Sequence, residues 1–241
     1  MTLQQTVGGG DKFKVQGLLS FALLSLITLT ASRCDREEAP TYRDFIFVLN
    51  FEINPVDSLI SLGDTLWLTA EFDNKIEDFI SNEKFELIDF NFRTLLGFFR
   101  LQGKSIGLPS QPGATSSFDL VIKKGSVSNA FETFADFDFD YTSEVYSCEI
   151  GIVPKSQGVF CLNFLAPAPG DINLSKTITL PDTPDGRKVI PLYRNIYYVI
   201  NEGQTNFDLY KKHSVASSEI LVTTDNIYYE QKGTFTFRVI D

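Results

Sequence analysis

Apolar and polar residues alternate with a period of two along most of the chain beyond residue 42, the spacing of half-buried β-strands. In 43–53, Phe45, Phe47, Leu49, Phe51 and Ile53 share one face, opposite Asp44, Ile46, Val48, Asn50 and Glu52. In 64–72, Leu66, Leu68, Ala70 and Phe72 oppose Thr65, Trp67, Thr69 and Glu71. Similar patterns predict strands at 85–92, 94–101, 117–123, 134–141, 145–153, 158–165, 176–180, 194–200, 219–223 and 234–240. Turn signals separate them, among them Gly63-Asp64, Gly103-Lys104, Pro112-Gly113, Lys124-Gly125, Pro154 to Gly158, Pro184-Asp185-Gly186 and Lys232-Gly233. One helix is predicted, at 205–212: Thr205 and Asp208 suit a capping pair, Phe207 and Tyr210 share a face, and Lys211, Lys212 and His213 stand at its favourable C-terminal end. Many short antiparallel strands with one short helix near the C-terminus predict an all-β fold, a sandwich or a barrel. Pro167, Pro169 and Gly170 mark a candidate sub-boundary within it.

Composition narrows the classes. With 43% apolar residues among 241, and Gly 16 and Pro 10, the chain is neither disordered nor fibrous. A net charge of -10 excludes nucleic acid, whose binding depends on a basic surface. One His and three Cys leave little for a zinc centre or a Ser/His/Asp arrangement.

The N-terminus reads differently. Residues 18–30 form a charge-free run of thirteen, preceded by Lys12 and Lys14; that is too short to span a bilayer and suits the apolar part of a secretory signal. Cys34 follows in Leu29-Thr30-Ala31-Ser32-Arg33-Cys34, and Asp35-Arg36-Glu37-Glu38 comes after it. This resembles a bacterial lipoprotein signal, in which the cysteine thiol is diacylated and the chain is cut just before it. The acidic stretch is similar to the export tag of Bacteroidetes-type surface lipoproteins. Arg33 occupies a position where that pattern has a small residue; cleavage near Ser32 would instead release a soluble periplasmic or secreted protein with Cys34 free. The implied organisation is a signal peptide at 1–33, an acidic tether at 34–42 and a mainly β domain at 43–241. Removing Lys12, Lys14 and Arg33 with the leader makes the mature chain more acidic still, so attachment to an anionic membrane would rest on the lipid.

Within the domain, Ile60-Ser61-Leu62-Gly63-Asp64-Thr65-Leu66-Trp67-Leu68 resembles the Gly-Asp-Thr turn and following strand of bacterial Ig-like domains. The resemblance implies an Ig-like β-sandwich, with the Gly-Asp turn bending the chain from one strand into the next. Asp57-Ser58-Leu59 resembles a short O-glycosylation sequon of exported Bacteroidetes proteins.

Candidate chemistry is sparse. Cys148 and Cys161 stand equally far from Pro154/Lys155, so a hairpin folded there would set them opposite each other. They read either as a disulfide, worth about 3 kcal/mol for a loop of this size, or as two buried thiols acting as small hydrophobes. Asp136, Asp138 and Asp140 alternate with phenylalanines and would line one strand face, either as a solvated row or as part of a site for calcium as cofactor. Gly103-Lys104-Ser105 fails as a phosphate loop, because five residues rather than four separate Gly97 from Gly103. His213 reads as a cation at a helix C-terminus. Trp67, Tyr197, Tyr198, Tyr228 and Tyr229 are the candidate binding aromatics; in the adjacent pair Tyr197-Tyr198 one ring must point away from the core. Three functions follow as expectations. The first is a lipid-anchored, non-enzymatic binding module for a glycan or envelope protein. The second is a glycan hydrolase using two carboxylates, and the third an accessory subunit of an outer-membrane uptake complex.

Overall fold

The longest predicted apolar face forms the spine of the core. In the computed structural model, which describes residues 38–92, 94–102, 112–128, 130–168, 172–214 and 224–241, Phe45, Phe47, Leu49, Phe51 and Ile53 are each at most 1% exposed. They lie on strand β1 (Thr41–Asn54). In chain order there follow β2 (Leu59–Ser61), β3 (Leu66–Asp73), β4 (Lys75–Glu77), β5 (Lys84–Glu86), β6 (Thr94–Arg100) and β7 (Phe118–Lys124). Then come β8 (Ser126–Ser128), β9 (Phe134–Asp138), β10 (Asp140–Thr142), β11 (Val145–Pro154), β12 (Gly158–Leu165) and β13 (Val189–Ile200). A helix α1 (Phe207–His213) and the last strand β14 (Thr234–Ile240) complete the series. The expected signal segment, Cys34 and the strand expected at 219–223 lie outside the described residues.

Two six-stranded sheets face each other. The first has the order β10-β11-β3-β1-β13, with β7 also on β11; the second runs β2-β14-β12-β6-β9-β8, and β4-β5 form a separate hairpin. The fold is therefore all-β and sandwich-like. Its sheets are mixed rather than purely antiparallel, because β1 pairs with β13, and β14 with β2, in parallel. Strands from both sides of the Pro167 stretch share each sheet, and residues Thr41–Asp241 form one unit. Between the sheets Phe51 stacks on Phe164 with centroids 4.4 Å apart and meets Phe137, Phe139 and Tyr198 within 6.0 Å. Those spacings lie within the favourable range for aromatic pairs or just below it.

The Gly63-Asp64 turn carries the chain from β2 in the second sheet to β3 in the first. Gly63 adopts φ +82°, the left-handed region that glycine tolerates, while Asp64 N–H donates to Ser61 O and its carboxylate accepts from Ser61 N–H.

Several expectations need correction. The strand expected at 85–92 stops at Glu86. Beyond it, the buried Tyr146 hydroxyl donates to Leu87 O and accepts from Phe90 N–H, both at 2.6 Å, in place of strand pairing. No strand forms at 176–180; a short turn, Leu174–Lys176, is capped by the Asn173 side chain and drives Leu174 and Ile178 into the core. The stretch 134–141 breaks at Phe139, with β9 in one sheet and β10 in the other. The helix is present, but Thr205 does not cap it. Asn206 takes that place in a left-handed conformation without a side-chain capping bond, its amide donating to Val56 O, and Thr205 donates instead to Gln231 O.

His213 ends α1 with its Nε2 3.2 Å from the Arg238 guanidinium on β14. Burial, then Arg238 and Lys212, pull its pKa down from 6.5, so the folded state holds it neutral. The unfolded chain takes up the proton first, so this contribution is complete above about pH 6.5 and is lost as the pH falls toward the lowered folded value. In urea unfolding at pH 8 and pH 5, the wild type should lose more stability on acidification than His213→Gln. Equal losses would show that His213 contributes no pH dependence.

Candidate functional site

The outer face of the first sheet, over β1 and β13, bears a groove of about 580 Å³. It arises from an irregularity in β13. Phe45 on β1 aligns with Tyr193, but the next residue, Ile46, aligns with Asn195, so β13 carries one extra residue, a β-bulge. Core-facing positions shift parity there: Pro191 and Tyr193 are buried before the bulge, and Ile196, Tyr198 and Ile200 after it. Arg194 and Asn195 therefore both fall on the outer side, where strict alternation would have sent one of them inward.

One wall comes from the loop between β4 and β5. Strand β1 pairs with β3 only over Glu52–Asn54, which leaves the earlier part of that edge without a strand partner. Asp78 supplies the missing acceptor. Its Oδ1 accepts from Ile46 N–H at 3.0 Å, and the next residue, Phe79, donates its N–H to Ile46 O at 2.7 Å. Asp78 Oδ2 accepts from Ser81 N–H and Oγ–H at 3.0 and 2.7 Å, and the residue is fully buried. A carboxylate thus completes the strand edge and fixes Phe79 and Ile80 beside β13.

The other wall is a helical turn, Thr224–Asn226, running into a wider-wound stretch, Ile227–Lys232. The wide winding accompanies diverted carbonyls: Asn163 Nδ2 and Thr234 Oγ donate to Tyr229 O, and Thr205 Oγ to Gln231 O. Both walls meet at Tyr197. Its ring stacks on Tyr228 with centroids 4.3 Å apart, and Phe79 sets its edge against both rings at 5.2 and 5.5 Å. The Tyr197 hydroxyl donates to Asp225 Oδ1. Burial, and then that carboxylate, push the phenol's pKa up, so it remains a donor. Asn195 Oδ1 is occupied by Ile196 N–H at 2.9 Å and the Tyr229 hydroxyl at 3.0 Å, which leaves its amide N–H groups to offer the groove. Arg194 is exposed and has no ion pair among the described residues.

The candidate aromatics are therefore not open platforms. Tyr198 lies in the core with its hydroxyl 3.1 Å from Thr94 Oγ1, and Tyr197 is 3% exposed beneath the 224–232 segment. Tyr228 and Tyr229 are half-buried, and the Lys232 ammonium covers Tyr228 at 4.5 Å. Trp67 lies across Gly151 of the neighbouring strand, and Lys123 sits 3.5 Å from its ring centroid, so the indole already has a partner.

Cys148 and Cys161 are buried thiols that form no disulfide with each other, which overturns the disulfide reading. The turn after Pro154 does not close a hairpin. It crosses between sheets: β11 pairs with β3, β7 and β10, and β12 with β6 and β14. Cys148 faces the interior between the sheets, whereas Cys161 packs with Leu101, Val159 and Tyr210. Burial pushes the Cys148 thiol up to about 12 and raises Cys161 as well. Alkylation of the native protein should therefore leave both thiols unmodified, and denaturant without reductant should expose both. A requirement for reductant would restore the disulfide.

The aspartate row is also divided. Asp136 and Asp138 lie on β9 of the second sheet and Asp140 on β10 of the first, where it accepts from Gly125 N–H. The three do not line one strand face, and no cluster of three His, Cys, Asp or Glu suited to a metal occurs among the described residues. A second groove, of about 370 Å³, includes Glu52, Glu71 and Glu149. Glu52 and Glu149 flank Thr69 in register, but Glu149 pairs with Lys123 at 2.6 Å and Glu71 with Lys124 at 3.6 Å, an ion-paired sheet face. Glu230, whose carboxyl burial pushes up, lines neither groove.

The sequence patterns picked out Tyr197 and Tyr228 and missed Arg194, Asn195, Asp78, Phe79 and Asp225. One signal pointed to the bulge: the step from Tyr193 to Ile196 is three residues in a series that otherwise advances by two. No helix among the described residues is long and apolar enough to cross a membrane. A scan against protein-family models finds no match to the chain, and a search of curated proteins finds none.

Proposed function

We propose that the chain is a lipid-anchored protein of a Gram-negative cell envelope, acting as a non-enzymatic binding module whose ligand occupies the groove over Tyr197. The observation that carries the reading is the convergence of three separate elements on that groove. The β13 bulge, the Asp78 loop and the 224–232 segment leave Arg194, Asn195, Thr224 and Asp225 lining it with apolar Ile46 and Ile80. Ligand sites characteristically combine an apolar wall with a few convergent polar groups, in cavities of about 300–1,000 Å³. The anchor rests on Cys34 and the acidic stretch that follows it.

Two measurements test the two halves. The intact mass of membrane-extracted protein should match acylated residues 34–241, and an unlipidated or uncleaved chain would remove the anchor. A glycan array probed with the full-length protein should give signals that Thr224→Trp abolishes by filling the groove. Signals that survive the substitution would remove the groove from the function, and an array without signal would turn the search to protein partners.

A further inference from the structure

We infer that this groove takes a sugar bearing a carboxylate, with the acid group on Arg194 and Asn195 and a hydroxyl on Asp225; this rests on the groove being the ligand site. The bulge puts two donors side by side. Arg194 offers a planar fork of N–H groups that fits a carboxylate, and Asn195, its Oδ1 already taken by Ile196 and Tyr229, offers only its amide N–H groups. In a chain of net charge -10, an exposed guanidinium with no ion pair among the described residues is the one cation among those lining the groove. Asp225 has the opposite polarity. Tyr197 holds its Oδ1, and its Oδ2 remains to accept from a hydroxyl. A ligand satisfying both ends must carry an acceptor group and hydroxyl donors on one small frame. Ile46, Phe79 and Ile80 supply the apolar surface on which the C–H face of a sugar ring can lie. A phosphate suits the site less well, because its larger charge would stand close to the Asp225 carboxylate. Tyr197 is a positioning residue here: its hydroxyl aims Asp225 from the floor of the groove.

The test is titration of the full-length protein in detergent with a uronic-acid trisaccharide, its carboxyl-reduced neutral counterpart and a pentaglutamate peptide. The uronate should bind at least tenfold more tightly than its neutral counterpart, with affinity falling as salt rises. Arg194→Gln should weaken the uronate about tenfold and the neutral sugar far less, and Arg194→Lys should recover part of the uronate's loss. Tyr197→Phe should weaken both sugars alike, since it disturbs Asp225 and not the guanidinium. Equal affinity for the two sugars, or indifference to Arg194→Gln, would overturn the inference. If the neutral sugar binds and Thr224→Trp abolishes that binding, the groove stands as the site and only the acidic ligand falls. Binding of pentaglutamate alone would replace the sugar by a peptide.

Discussion

Phe51→Ala should lower the unfolding free energy by about 3–5 kcal/mol, the range for a large aromatic removed from a close-packed interior. The ring is 1% exposed and touches four aromatic rings drawn from both sheets and from its neighbouring strand, so neither sheet can close the void alone. For a domain of about 200 residues each kcal/mol moves Tm by about 2–4 °C, which puts the expected fall on the order of 10 °C in a thermal melt followed by circular dichroism. Phe131→Ala is the control. That ring is 56% exposed, and its loss should change stability by no more than about 0.5 kcal/mol. Equal effects at the two positions would mean that the sheets do not pack through Phe51.

The second large effect is expected at Asp78. Alanine removes the acceptor for Ile46 N–H and for both donors of Ser81, leaving a buried strand amide without a partner. Hydrogen bonds to charged groups contribute about 1.5–3 kcal/mol each, and because these three share one carboxylate the combined loss should be about 2–4 kcal/mol. Asp78→Asn should fall between, since its amide oxygen can still accept from Ile46. Amide exchange gives the sharper reading: the Ile46 and Phe79 amides should exchange faster in Asp78→Ala, while those in the centre of β12 should slow or quicken only with global stability. Unchanged exchange at Ile46 would show that Asp78 does not complete this edge.

These two positions differ in how visible they are in the sequence. Phe51 belongs to a five-residue alternation that announces a buried strand face; β14 follows its predicted bounds to the residue by the same alternation, and β12 does so as an apolar run entered at Gly158. Alternation assigns faces, however, and not partners. Cys148 and Cys161 each lie on a strand where one was expected, yet those strands belong to different sheets. The parity argument for Tyr197-Tyr198 holds, with Tyr198 inside and Tyr197 outside; the ring is covered all the same, because 224–232 packs over it without any periodic signature of its own. Asp78 has no pattern at all. It sits in a loop among polar residues, and only the divergence of β3 from β1, a tertiary event, makes its carboxylate a structural acceptor. The groove was legible in part, since the three-residue step at Tyr193–Ile196 marks the bulge but not what faces it.

The parallel pairing of β1 with β13 bears on when the protein can fold. Ile53 N–H donates to the side chain of Asn201, 148 residues further along, and Phe51 lies opposite Ile200. The first strand of the domain thus finds its longest partner only near the end of the chain. Contacts of such sequence separation are costly to close and slow folding. An N-terminal fragment emerging from a ribosome carries β1 with its apolar face unmatched, and it cannot complete the core before β13 is made. For the exported protein proposed above, a chain that stays open until β13 is available is one that a channel can thread before it collapses. A circular permutant that begins at β13 and joins the old termini by a linker should therefore refold faster than the wild type and, under the export proposed above, should leave the cell less efficiently.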